Sequence, residues 1–85
     1  MASGQVIFVS RNQGMIVVQH DEGFAVIEML GSEGSLEVGG AVRGDWSSSG
    51  SGTVRANGES YDVFFQGSWG SLDMAISIAR SSGGG

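Results

Sequence analysis

Gly4-Gln5-Val6-Ile7-Phe8-Val9-Ser10-Arg11-Asn12-Gln13-Gly14-Met15-Ile16-Val17-Val18 is the stretch whose reading decides the fold. Gln5 to Ser10 is rich in β-branched and aromatic residues and reads as a strand. Four apolar positions in succession, Val6 to Val9, call for burial on both faces. Arg11 to Gly14 is polar and ends in glycine, which is the chemistry of a short hairpin connection. Met15 to His20 is then the second strand. Asp21-Glu22-Gly23 is a further turn, and Phe24 to Met29 a third strand. In it Phe24, Val26 and Glu28 share one face, while Ala25, Ile27 and Met29 share the other.

Working outward, Gly31-Ser32-Glu33-Gly34 opens a loop, and Ala41 to Trp46 reads as a fourth strand. Ser47-Ser48-Ser49-Gly50-Ser51-Gly52 is low in complexity and reads as a flexible loop within the domain. Asn57-Gly58, set between Thr53–Ala56 and Glu59–Gln66, is the sharpest local signal, a type I′ two-residue hairpin turn. Tyr61 to Phe65 should be the interior of the last long strand. Over Ser71 to Arg80, Leu72, Ala75, Ile76 and Ala79 fall at helical spacing, with Ser71 able to cap and Arg80 at the C-terminal end. Met74, Ile76 and Ile78 alternate as a strand would, but the caps favour a short helix.

The chain has 85 residues, with sixteen glycines, no proline and no cysteine. A domain of this size buries only about 60–65% of its unfolded surface, so nearly every apolar run is needed for one core. We therefore expect a single domain over 1–80 and a disordered Ser/Gly tail over 81–85. No disulfide framework or thiolate zinc site can form. Nine acids face four arginines (Arg11, Arg43, Arg55 and Arg80), and there is no lysine, for a net charge of −5. That balance repels polyanions, whereas nucleic-acid domains carry a basic stripe. No run approaches the length of a membrane span and no secretory signal is visible, so the expected location is the cytoplasm, with no membrane partner.

Residues 4 to 18 resemble, without a gap, the start of the cold-shock domain, an OB-fold family. Phe8 stands at the family's tryptophan, Ser10 at its asparagine and Gly14 at the glycine that opens its second strand. Ser35-Leu36-Glu37-Val38-Gly39-Gly40-Ala41-Val42 is similar to the family's approach to its fourth strand. Together these stretches and the strand between them cover about half of the chain. The resemblance implies an all-β, five-stranded, OB-like barrel, here with an extra hairpin region and the short C-terminal helix. It also implies a binding face on Phe8, Arg11, Met15, Val17, Phe24, Val26 and Glu28. Where the family stacks bases on aromatic rings, however, this chain has Met15 and Val17 on the second strand and Val26 and Glu28 on the third. Base stacking supplies about 1–3 kcal/mol per base, so most of that affinity is forfeited.

The candidate face is thus aliphatic. It serves either as a contact surface for a protein, the chain itself included, or as a seat for the C-terminal segment through Leu72, Ile76 and Ala79. His20, beside Asp21 and Glu22, is a single histidine at a turn and reads as a solvated cluster. With no cysteine, no lysine and no second histidine, a catalytic constellation is hard to build. Asp45 or Asp62 with Glu59 could pair only as solvated carboxylates. Trp46 and Trp69 lie at element ends, where rings plug small barrels. The expectation is a non-enzymatic binding or assembly module, without cofactor or metal, whose partner is a protein. The alternative is weak single-stranded nucleic-acid binding through Phe8, Arg11, Met15 and Val17. A small-molecule pocket between Trp46 and Tyr61 is a third class with no polar constellation behind it.

Overall fold

The structure, a computed structural model, describes residues 2–10, 14–30 and 36–82. Six strands and one helix follow in order: β1 Ala2–Ser10, β2 Met15–His20, β3 Gly23–Met29, β4 Ala41–Gly44, β5 Gly50–Ala56, β6 Glu59–Trp69 and α1 Leu72–Ser82. The strands close a barrel in the order β1-β2-β3-β6-β5-β4, with β4 returning to β1 and every neighbouring pair antiparallel. Among the described residues no helix is long and apolar enough to cross a membrane.

The count is six strands where the sequence pointed to five. Gly50–Gly52 belongs to β5, not to a flexible loop, and only residues 45–49 connect β4 to β5. Gly52 lies against the Phe65 ring, where an added Cβ would come within 2.6 Å of Cε2. The glycine is there for close approach rather than for freedom. What reads as an appended hairpin is therefore two staves of the barrel. Its turn is as expected: Asn57 and Gly58 hold φ of 55° and 77°, and Ala56 pairs with Glu59. That backbone matches the right-handed twist of the strands it joins.

The unbroken apolar runs of β1 and β2 are explained by two separate cores. Val6, Ile16, Val18, Ala25, Ile27 and Val63 point inward and pack with Trp46 and Phe65. Met15, Val17 and Val26 point outward and pack under α1. In β1 the register shifts between Val6 and Phe8, so Ile7 and Phe8 both join the outer layer while Val9 returns to the inner one. A second shift lies between Val26 and Ile27, where β6 carries an extra residue. Such a bulge moves later side chains to the other face. It turns Ser68 toward the Trp46 carbonyl and Trp69 outward beneath the helix, so Trp46 plugs the barrel and Trp69 does not.

The helix forms as its caps predict. The Ser71 hydroxyl accepts the Met74 N–H at 3.4 Å, the Ser71 carbonyl accepts that of Ala75, and Asp73 and Arg80 complement the dipole. It runs to Ser82, two residues past the expected end at Arg80. The rest of the expected tail and the Gly31–Gly34 loop lie outside the described residues, as does Arg11.

Candidate functional site

Phe8, Met15, Val17, Phe24 and Val26 are brought together on one outer face, and that face is occupied. Met15, Val17 and Val26 are fully buried against Ala75 and Ala79, with Phe8, Phe24, Trp69, Ile76 and Ile78 packed around them. Two alanines on the inward side let the helix approach closely. Of the expected covering residues, Ala79 is fully buried and Ile76 half-buried, while Leu72 remains 39% exposed. Arg80 closes the far end, its guanidinium carbon 5.6 Å from the centre of the Phe8 ring. Burying three such side chains is worth on the order of 5 kcal/mol, comparable to the whole stability of a small domain. The helix is thus part of the fold, and it covers this face. Glu28 stands at its margin, half-buried, between Met15 and Phe64 in the register.

A second locus is the barrel end that holds His20, Trp46 and Ser68. The His20 ring stacks on Trp46 with centroids 6.0 Å apart and planes 23° apart. Its Nδ1 accepts the Glu22 N–H at 3.3 Å, which leaves Nε2 as the protonated nitrogen of the neutral ring. Nε2 faces Ser68 Oγ at 3.3 Å, and the Ser68 hydroxyl donates to the Trp46 carbonyl at 2.7 Å. The hydroxyl proton therefore points away from the imidazole, the reverse of a nucleophile–base pair. A depression beside it is rimmed by Asp21, Glu22 and Asp45. The Ser47 hydroxyl, donating at 2.9 Å, holds the Asp45 carboxyl below its usual value, with help from Ser48. No group of three or more metal-ligating side chains forms among the described residues. Glu59 and Asp62 fall on opposite faces of β6, so of the two carboxylate pairs considered from sequence that one does not assemble. Tyr61 and Trp46 both belong to the buried interior.

The third locus is the outer face of β4, β5 and residues 60–64 of β6, outside the layer that packs under α1. Arg43 and Arg55 are direct cross-strand partners and both are exposed. Ser3 and Ser60 flank them in the same register row. Farther along β6 on this face stand Asp62 and Phe64, the latter 39% exposed. Leu30, 43% exposed, borders it and donates its N–H to the Asp62 carbonyl at 3.0 Å. The sequence reading assigned Arg43 and Arg55 to outer faces but did not pair them. Counting back from the Asn57–Gly58 turn would have placed Arg55 outward; its partner on β4 is a tertiary fact.

No protein-family model matches the chain, and neither does any curated protein or solved structure.

Proposed function

We propose that this chain is a non-enzymatic binding or assembly module whose partner is a protein, met on the uncovered β4–β5–β6 face. The observation that carries this reading is the placement of Arg43 opposite Arg55 beside the half-exposed Phe64. Like charges directly opposed on a sheet are destabilising. In a chain with four cations, two stand opposite each other here on an exposed sheet face. Departures of this kind from local consistency concentrate at functional sites. Arginine and phenylalanine are also among the residues enriched in protein interfaces. The expected cold-shock-like face is spent internally, so the reading moves from Phe8, Met15, Val17, Phe24 and Val26 to the opposite set of strands.

A second reading keeps the same residues. One exposed ring and two guanidiniums are the elements of a single-stranded nucleic-acid platform. Against it stand the net charge of −5 and the carboxylates of Asp62 and Glu28 on the same sheet. The deciding experiment is a fluorescence titration with mixed single-stranded DNA and RNA at low and high salt. The protein-binding reading expects no saturation below about 10 μM; saturable binding that collapses as salt rises would transfer the face to nucleic acid.

A further inference from the structure

The seam between β4 and β5 is the weakest in the barrel. Only Arg43 and Arg55 pair across it, whereas each other seam is held by several pairs. The geometry of the hairpin says what this leaves open. A two-residue turn closes on a pair whose main chains bond to each other, so Ala56 and Glu59 exchange hydrogen bonds. Bonded and non-bonded pairs then alternate along the ladder. Val54, Gly52 and Gly50 therefore direct their N–H and C=O groups to Tyr61, Val63 and Phe65 on β6. Arg55, Thr53 and Ser51 direct theirs to the β4 side. Arg55 meets Arg43 there. Thr53 and Ser51 meet no strand, because β4 has ended at Gly44. Among the described residues, no backbone hydrogen bond from the 45–49 connection reaches either of them.

We infer that the Ser51–Thr53 edge of β5 is an acceptor for an extended segment of a partner protein, which adds as a strand where β4 stops. This rests on the protein-binding reading above and supplies its mode. Two donors and two acceptors, alternating at the spacing of a strand, are complemented by another extended backbone and not by a sugar-phosphate chain. Exposed edges are ordinarily blunted by proline, lysine or an inward charge. Gly50-Ser51-Gly52-Thr53 has none of these. Its two glycines carry no side chain, and both Ser51 and Thr53 are exposed. Arg55 stands exposed at one end of the edge, so the incoming segment carries an acidic residue at that end. A second copy of this chain is disfavoured as the occupant, because each copy bears a charge of −5.

The test uses the full chain and begins without a ligand. Amide exchange followed by NMR should show Ser51 and Thr53 exchanging freely while Gly52 and Val54 are protected. Equal protection of all four in the monomer overturns the inference, and protection that appears only with dimerisation reassigns the edge to a second copy and overturns it too. The protein is then used to select from a display library of random peptides. The expected peptides shift and protect the Ser51 and Thr53 amides. They lose at least about tenfold in affinity, some 1.4 kcal/mol, on Ser51→Pro with Thr53→Pro, a change an edge position tolerates because those N–H groups reach no backbone acceptor among the described residues. Peptides that depend on Arg55 but ignore the prolines leave the binding face standing and sink strand addition. A library that yields no binder, with both amides open, sinks the protein-binding reading itself.

Discussion

The indole Nε1 of Trp46 donates to the Ala2 carbonyl at 3.0 Å, tying the start of β1 to the residue that plugs the barrel forty-four positions later. The same ring stacks on His20 and meets Phe65 edge-on at 6.4 Å between centroids. Trp46→Phe keeps a ring in the plug and removes the bond, so it should cost about 0.5–1.5 kcal/mol. Trp46→Ala empties the site and should cost about 3–5 kcal/mol. Urea unfolding midpoints check both, and equal losses for the two variants would show that the bond rather than the ring does the anchoring.

Gly52 gives a sharper test of packing. A methyl there would sit 2.6 Å from Phe65 Cε2 and 3.2 Å from Cδ2, so the ring must move within a filled core. Gly52→Ala should destabilise by about 1–3 kcal/mol. Combined with Phe65→Leu, which vacates the space, the two losses should add to less than their sum, a coupling that a double-mutant cycle measures. Strict additivity would mean that the loop reading of Gly50–Gly52 was the better one.

That loop reading marks where the sequence stopped being legible. The hairpin at Asn57–Gly58, the inward and outward sets of β3, and the capped helix were all readable, because each depends on residues within a few positions of one another. Whether Gly50–Gly52 was loop or strand was not, because the reason for Gly52 is Phe65, thirteen residues away and on the next strand. The direction of Trp69 was lost for a similar reason: one extra residue in β6 inverts the alternation beyond it. Five residues of the candidate face do cluster, beneath the cover that was one of the readings left open. The Arg43–Arg55 pairing was invisible because register between β4 and β5 is set by the whole barrel.

Acid stability should report on the 45–48 turn. In the fold the Asp45 carboxyl is depressed, first by the Ser47 hydroxyl and next by the Ser48 side chain. A depressed carboxyl contributes stability that is present above its unfolded value of about 3.9 and is lost as pH falls through the folded value. Ser47→Ala should therefore lie below the parent at pH 7, with the gap closing once both proteins are well below that range. Urea midpoints across the acid limb measure this. A gap that persists unchanged in acid would assign the Ser47 effect to something other than the carboxylate.

The close seat of α1 depends on alanine at position 79, which is fully buried against the outer layer. Ala79→Leu should lift the C-terminal half of the helix, costing about 1–3 kcal/mol and uncovering part of Met15 and Val17. Thermal unfolding together with a dye that reports exposed apolar surface reads both effects. Destabilisation with no new dye binding would mean that the barrel, not the helix, absorbs the extra volume.

Arg55 carries the prediction that separates a functional face from a merely tolerated one. It faces Arg43 across the single rung of the β4–β5 seam, a like-charged cross-strand pair. Threonine suits an exposed strand position better and removes the like-charged pairing, so Arg55→Thr should raise stability by about 0.2–1 kcal/mol at low ionic strength. Because both groups are exposed, the gain should shrink as salt screens the pair. Urea midpoints at low and high salt supply the comparison. A substitution that strengthens the fold while weakening binding of selected peptides is what a site maintained for a partner predicts. If Arg55→Thr instead weakens the fold at low salt, the arginine has a structural role, and the main argument for this face is gone.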